Sequence, residues 1–191
     1  METAAAELRP MLPDWAIVTP ARREHIERVA ELADQWARAM GVSAGERIRW
    51  LRAVWLHDAL RDAPEEELVR WAPSVPGPAE LRHGPASAAR AKAEGESDRG
   101  VLDAVRYHSL GLAEWDMVGR VLYCADYLEP GRPHAREWRA ALAERLPSDV
   151  AAVLHEVARA RVGHLVSSDR PLLEPTVRFW NSLVADFSGS R

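Results

Sequence analysis

The 191-residue chain is long enough to bury one substantial core, and 47% hydrophobic with 28% charged residues marks a globular protein rather than a disordered one. With a net charge of -4 and Lys92 as its only lysine, it has no global attraction for nucleic acid or an anionic membrane, so an anionic ligand would need a local cluster of arginines. A single cysteine, Cys124, excludes an intrachain disulfide and a thiolate-built zinc site, and suits a reducing cytoplasm.

Met1–Pro13 lacks the charged-then-apolar layout of a signal peptide, and no run approaches the roughly 18 apolar residues of a membrane span. Residues 1–18 read as an arm or a short lead-in helix. A first helix follows, with Thr19 as cap, Pro20 at its first position and Gly41 as its stop. His25, Val29, Ala33, Trp36, Ala37 and Met40 recur at three- and four-residue steps, which turns His25 inward. A second helix opens on Ser43-x-x-Glu46, a capping-box pattern, presents Ile48, Leu51, Val54 and Trp55, and closes on His57-Asp58.

Residues 64–71 predict a short helix, and Pro73, Pro76, Gly77 and Pro78 force a loop. That loop ends at Leu81-Arg82-His83-Gly84-Pro85, where Pro85 starts an alanine-rich helix to about Glu94. Gly95 breaks it, and Ser97 caps the next, whose face carries Val101, Ala104, Val105 and His108. After a turn at Ser109-Leu110-Gly111, a helix from about Ala113 to Leu128 turns Trp115, Val118, Leu122 and Ala125 inward, with Asp126 beside them. Glu129-Pro130-Gly131-Arg132 ends it. Amphipathic helices over about 135–145 and 148–166, the latter capped by Ser148, precede a last one over about 175–184. No stretch alternates with period two over a convincing length. The expectation is an all-α chain, with one domain over 19–184 and a tail at 185–191.

Six inward polar residues stand out: His25, His57, Asp58, His83, His108 and Asp126. Imidazole and carboxylate together suit Fe, Mn, Co, Ni or Zn without a thiolate. They exceed what one ion with open positions requires. A carboxylate can bridge two metals about 3.5–4 Å apart, the separation that serves phosphoryl hydrolysis. One workable division gives His25, His57, Asp58 and Asp126 to one ion, and His83, His108 and a bridging Asp58 to a second. A water between such ions would be acidified toward hydroxide and attack phosphorus in line. Taken singly, each residue has a plainer reading: a core histidine bonded to a carbonyl for His25 or His108, an exposed loop residue for His83, a helix-end acceptor for Asp58. Asp126 is the hardest to excuse, because a buried carboxylate is rarely left unpaired. Arg61, one turn after Asp58, and Arg132, just past the Asp126 helix, are each placed as a phosphate contact or a surface arginine. His134, His155 and His164 read as solvated and Cys124 as a small core residue. There is no Walker-type glycine loop, G-x-S-x-G elbow or Cys-x-x-Cys.

The series of a histidine, then His-Asp, then a distant Asp resembles the HD-domain metal-dependent phosphohydrolases, an all-helical superfamily. Within it the chain resembles the YqeK branch. The shared features are Arg22-Arg23 before His25, Leu56-His57-Asp58 with a basic residue three on, and Leu81-Arg82-His83-Gly84. His108-x-x-Gly111, the block Tyr123–Arg132, and Pro175-Thr176 with Asn181 complete them. The resemblance covers about residues 15–184. It implies a single HD-domain helical bundle that hydrolyses diadenosine tetraphosphate symmetrically to two ADP, using one or two iron ions or a similar divalent metal. It implies His25, His57, Asp58 and Asp126 as ligands of one metal, with His83, His108 and a bridging Asp58 for the second. Arg61, His83, Ser109 and Arg132 would contact the substrate, with Asp58 and Arg61 as the catalytic pair. Departures are Ser109 and Leu110 for two threonines, Trp115 for methionine, Asp116 for serine and Arg61 for lysine; they bear on nucleotide preference, not on the ligands. Alternatives are an HD phosphohydrolase of another nucleotide (a dNTP, a nucleoside monophosphate or a guanosine alarmone) and a non-catalytic nucleotide-binding module. The expected partner is a nucleotide, with neither nucleic acid nor membrane; a homodimer is left open.

Overall fold

The computed structural model describes residues 11–188, and among them every regular element is a helix. In chain order these are α1 (Pro20–Ala39), α2 (Ala44–His57), α3 (Glu65–Trp71), a 3-10 turn (Ala79–Leu81), α4 (His83–Ala93), α5 (Arg99–Tyr107), α6 (Met117–Leu128), α7 (Arg136–Arg145), α8 (Val150–Ser167) and α9 (Glu174–Ser188). The all-α expectation holds. No helix among the described residues is long and apolar enough to cross a membrane.

The bundle is built around α6. Val118, Gly119, Val121, Leu122, Tyr123, Cys124, Ala125 and Leu128 are all buried, so this helix is buried over most of its circumference. It packs against α1, α2, α5, α7 and α8. Ile26, Val29, Ala33 and Trp36 of α1, and Val101, Ala104 and Val105 of α5, complete the core around it. A satellite cluster of Leu60, Leu68, Ala72 and Ala86 lies under α3 and α4. At the described start of the chain, residues 11–19 are not helical. Ile17 donates to Ala59 O at 2.8 Å, and Asp62 Oδ2 accepts from both Thr19 N and Thr19 Oγ1. Residues 1–10 and 189–191 lie outside the described residues, so the expected arm and tail are covered only in part.

Several local expectations shift. Thr19 and Ser43 cap as anticipated, accepting from Arg22 N and Glu46 N. Glu46, however, turns to Arg49 and the Trp50 indole, and the buried face of α2 is Trp50, Ala53, Val54 and His57 rather than one centred on Ile48 and Leu51. Asp98, not Ser97, caps α5. Asp149, not Ser148, caps α8, while Ser148 donates to Arg145 O and closes the helix before it. Asp116 starts α6 later than Ala113. In each case a carboxylate beside the positive helix N-terminus outcompetes the serine or the earlier start. The fourth helix begins at His83, ahead of Pro85, and α9 runs to Ser188, past Val184.

Two glycines bring elements together. Gly111 turns the chain at φ +89, and a Cβ there would lie 2.1 Å from the Phe179 ring. A Cβ on Gly84 would sit 3.0 Å from the carbonyls of Val105 and Arg106, so its absence lets the start of α4 close on the end of α5.

Candidate metal centre

The six singled-out residues converge, and none is more than 8% exposed. Four come from helix ends: His57 is the last residue of α2, Asp58 its cap, His83 the first residue of α4, and His108 the cap of α5. His25 lies in the second turn of α1, and Asp126 near the end of α6.

This placement decides the protonation of the rings. His57 Nδ1 lies 2.6 Å from Val54 O, His83 Nδ1 2.7 Å from Glu80 O, and His108 Nδ1 2.8 Å from Val105 O. Each is a carbonyl three residues back. A carbonyl only accepts, so each Nδ1 carries the proton and each Nε2 is left with its lone pair. His25 follows the same rule with a carboxylate, its Nδ1 lying 3.1 Å from Glu129 Oε1. All four Nε2 atoms point into one space.

Asp58 stands in the middle of it. Its Oδ1 lies 3.2 Å from His83 Nε2 and 3.5 Å from His108 Nε2; its Oδ2 lies 3.7 Å from His57 Nε2 and 3.9 Å from His25 Nε2. Asp126 Oδ1 is 3.2 Å from His25 Nε2. The donors fall into two close sets, His25 with His57 and Asp126, and Asp58 with His83 and His108. Nε2 of His25 and of His57 are buried without a hydrogen bond, and the Nε2 atoms of His83 and His108 face each other at 3.0 Å. Orphaned buried acceptors and opposed lone pairs are unfavourable unless a cation lies among them. The residues fit a divalent metal, and the all-N/O donor set suits a transition ion.

The electrostatics agree at His57, His83, Asp58 and Asp126; at His25, against burial, the hydrogen bonds with Asp126 and Glu129 raise the pKa, so a metal there would displace a proton. Burial drives the His57 pKa down to about 4, keeping the ring neutral, and burial lowers that of His83 as well. For Asp58 burial pushes upward, but the three histidines packed against it, His57, His108 and His83, prevail and hold the carboxyl well below its usual range. Asp126 is held down likewise, against burial, by His25, Arg132 and Arg161. Neutral imidazoles and ionised carboxylates are the forms that bind metal.

An arginine collar surrounds this centre. Arg22 Nη1 is 2.8 Å from Asp58 Oδ2, and Arg132 Nη2 is 2.5 Å from Asp126 Oδ1. Arg61 Nη1 donates to Glu80 O at 3.0 Å, sharing that carbonyl with His83. Ser109 Oγ lies 3.1 Å from His108 Nε2. His83 is therefore no exposed loop residue, and Arg61, Ser109 and Arg132 all border the cluster. His134 and His164 are exposed as anticipated, whereas His155 is half-buried and stacked on Trp180. Cys124 is fully buried.

Two contributors go beyond the sequence reading. Glu129, 2% exposed, accepts from His25 Nδ1, Arg28 Nε and Gly131 N; against the pull of burial, these donors lower its pKa to about 2. Its signal was its position three residues after Asp126. Arg161 of α8 lies over the Tyr123 ring, donates to Ser109 O at 3.2 Å and approaches Asp126 Oδ2 at 3.5 Å. It continues the buried stripe Leu154, Val157, Ala158, which was its signal.

Residues 22–131, spanning all six of these side chains, match the HD domain model. The chain belongs to the HD domain family. It is 32% identical over 143 residues, 70% of this chain and 75% of the relative, to a protein of Bacillus subtilis (strain 168) named bis(5'-nucleosyl)-tetraphosphatase, symmetrical. A Staphylococcus aureus protein of the same name is 41% identical over 54 residues, 28% of each chain. The fold is shared with a Clostridium acetobutylicum protein described as a predicted HD superfamily hydrolase involved in NAD metabolism. That match has a TM-score of 0.76 at 22% identity, over 88% of this chain and 92% of the other.

Proposed function

We propose that this HD-family protein hydrolyses dinucleoside polyphosphates symmetrically, converting diadenosine tetraphosphate and water to two ADP. The observation that carries the chemistry is Asp58, with one carboxylate oxygen toward His83 and His108 and the other toward His25 and His57. The substrate follows from the name of the Bacillus subtilis relative. Residues 19–184 form the catalytic domain in this reading, acting in the cytoplasm.

His25, His57 and Asp126 with Asp58 would hold one metal, and His83 and His108 with Asp58 the second. Iron is the metal we favour, with Mn, Co, Ni or Zn able to use the same donors. When bound, the ions supply Lewis acidity for water and phosphoryl oxygens. The protein's own groups do the rest. Arg22, Arg61 and Arg132 meet the phosphate charge, and guanidinium suits it because its fork matches two oxygens at once. Ser109 Oγ offers a hydroxyl at the edge of the donor set, beside His108. The low exposure of the cluster keeps bulk water from screening these contacts.

Cleavage of the central phosphoanhydride gives two ADP, whereas attack on an outer one gives AMP and ATP. Anaerobically prepared protein loaded with Fe(II) or Mn(II) should release ADP alone from diadenosine tetraphosphate by chromatography. AMP with ATP would overturn the symmetric reading. Asp126→Ala should abolish both metal retention and turnover.

A further inference from the structure

A groove of about 560 Å³ runs between α1, the end of α6 and α7, beside the cluster. Glu129 and Arg132 line it, and these same residues touch His25 and Asp126. Leu32 and Trp36 of α1 and Leu128 of α6 form an apolar floor. Trp36 is 3% exposed, and its Nε1 is tied to Ala143 O at 2.8 Å, so the floor is rigid before anything binds. On the α7 side stand Ala140 and Arg136, both exposed.

We infer that this groove holds one nucleoside diphosphate half of the substrate, its phosphates against Arg132 and Arg136 and its base on the Leu32–Trp36 floor. The inference rests on the dinucleoside reading above. A symmetric cut leaves two equal halves extending from the centre, so each needs cationic groups near the centre and an apolar recess further out. The groove has that order. It begins at Arg132 and runs along α1 from Leu32, seven residues and about 10 Å beyond His25 at 1.5 Å per residue. Its charge is complementary: Glu129 is taken up by His25, Arg28 and Gly131, exposed Arg136 lines the space, and Arg132, whose Nε and Nη2 hold Asp126, brings its guanidinium charge to the same edge, with Glu144 on the lining as well. Arg139, on the same wall, is committed to the Tyr127 ring and to the carbonyls of Tyr127 and His134. Its volume is within the range usual for small-ligand sites, about 300–1,000 Å³.

Photolysis of the metal-loaded protein with 8-azido-ADP should label peptides from residues 32–39 or 128–147, and excess ADP should suppress the labelling. Ala140→Trp, which fills the groove from an exposed helix position, should raise KM for diadenosine tetraphosphate about tenfold with kcat little changed. Arg136→Glu should act in the same direction and Arg136→Lys recover most of the loss, with circular dichroism melts confirming that the variants are folded. Labelling confined to other peptides, or both variants keeping wild-type KM, would overturn the inference. Groove labelling in a protein that hydrolyses no dinucleoside polyphosphate would instead overturn the substrate reading and leave the groove as an ADP site.

Discussion

Glu129→Gln is the most discriminating single change at this centre, because the two carboxylate oxygens have different duties. Oε2 accepts from Arg28 Nε at 2.6 Å and Gly131 N at 2.7 Å, while Oε1 accepts from His25 Nδ1 at 3.1 Å. A glutamine keeps one acceptor oxygen and exchanges the other for an NH2. Turning the oxygen to His25 would set two donors against an NH2; turning it to Arg28 and Gly131 gives up one contact. Hydrogen bonds to a charged partner contribute about 1.5–3 kcal/mol each, so the second orientation wins. The amide NH2 then faces His25 Nδ1, which can satisfy it only by becoming the acceptor. The proton moves to Nε2, the atom that should hold the metal. Loss of such an outer contact typically costs 10–100-fold in metal affinity or activity, equivalent to about 1.4–2.7 kcal/mol. Stability should fall by only about 1–2 kcal/mol, or roughly 2–8 °C in Tm for a chain of this size. Elemental analysis with chelator competition gives the affinity, and histidine ¹⁵N spectra of the metal-free protein give the tautomer. A Glu129→Gln protein with wild-type affinity, or with His25 still protonated at Nδ1, would refute the reasoning.

Arg49 ties together three helix starts, binding Asp98 with two nitrogens at 2.7 and 3.1 Å, and Glu46 and Asp116 at 2.7 Å each. Partial exposure discounts these pairs, so Arg49→Met should cost about 1–2 kcal/mol by urea denaturation, less at high salt. Arg49 holds the Asp98 carboxyl below its usual range. The contribution is thus fully present above the ordinary Asp pKa and lost as pH falls through the lowered folded value, so wild type and variant should converge in acid. Gly111→Ala combines a left-handed φ with a clash on the Phe179 ring, and should destabilise by about 2–4 kcal/mol in thermal melts. Arg61→Ala should raise KM for diadenosine tetraphosphate about tenfold, equivalent to about 1.4 kcal/mol, and Arg61→Lys should recover most of it; an unchanged KM in steady-state assays would remove Arg61 from the phosphate contacts.

Much of this architecture was legible because histidine and aspartate are conspicuous on apolar faces. His25 beside Val29, His108 beside Val105 and Asp126 beside Leu122 announced an internal polar cluster without any tertiary information. His83 was harder. Pro76-Gly77-Pro78 suggested an exposed loop, and only the 3-10 turn, which places Glu80 O beneath the ring, brings His83 to the start of α4. The ring tautomers were out of reach for a related reason: three of the four depend on carbonyls three residues back, at helix ends the sequence could position only to within a residue or two. Arg161 approaches Asp126 across 35 positions, a distance no local pattern encodes, although its place on the buried stripe of α8 was visible.

The way the candidate ligands are supplied couples the centre to the whole bundle. His25, the His57-Asp58 pair, His83, His108 and Asp126 come from five helices or their ends, so no two neighbouring helices can assemble either donor set alone. The histidine Nδ1 bonds at the ends of α2 and α5 do two jobs, satisfying helix-terminal carbonyls that would otherwise be orphaned and aiming Nε2 inward. Capping and ligand orientation are therefore the same contact. Without a cation, the opposed Nε2 atoms of His83 and His108 and the two orphaned Nε2 atoms oppose the packing that α6 enforces, while Arg22 and Arg132 neutralise the carboxylates. A bound metal reverses that opposition, so its binding energy adds to folding stability by linkage. In the proposed reading the arginines would then share their carboxylates with the ions and keep positive charge available to phosphate, giving a chain of net charge -4 a local anion-attracting centre.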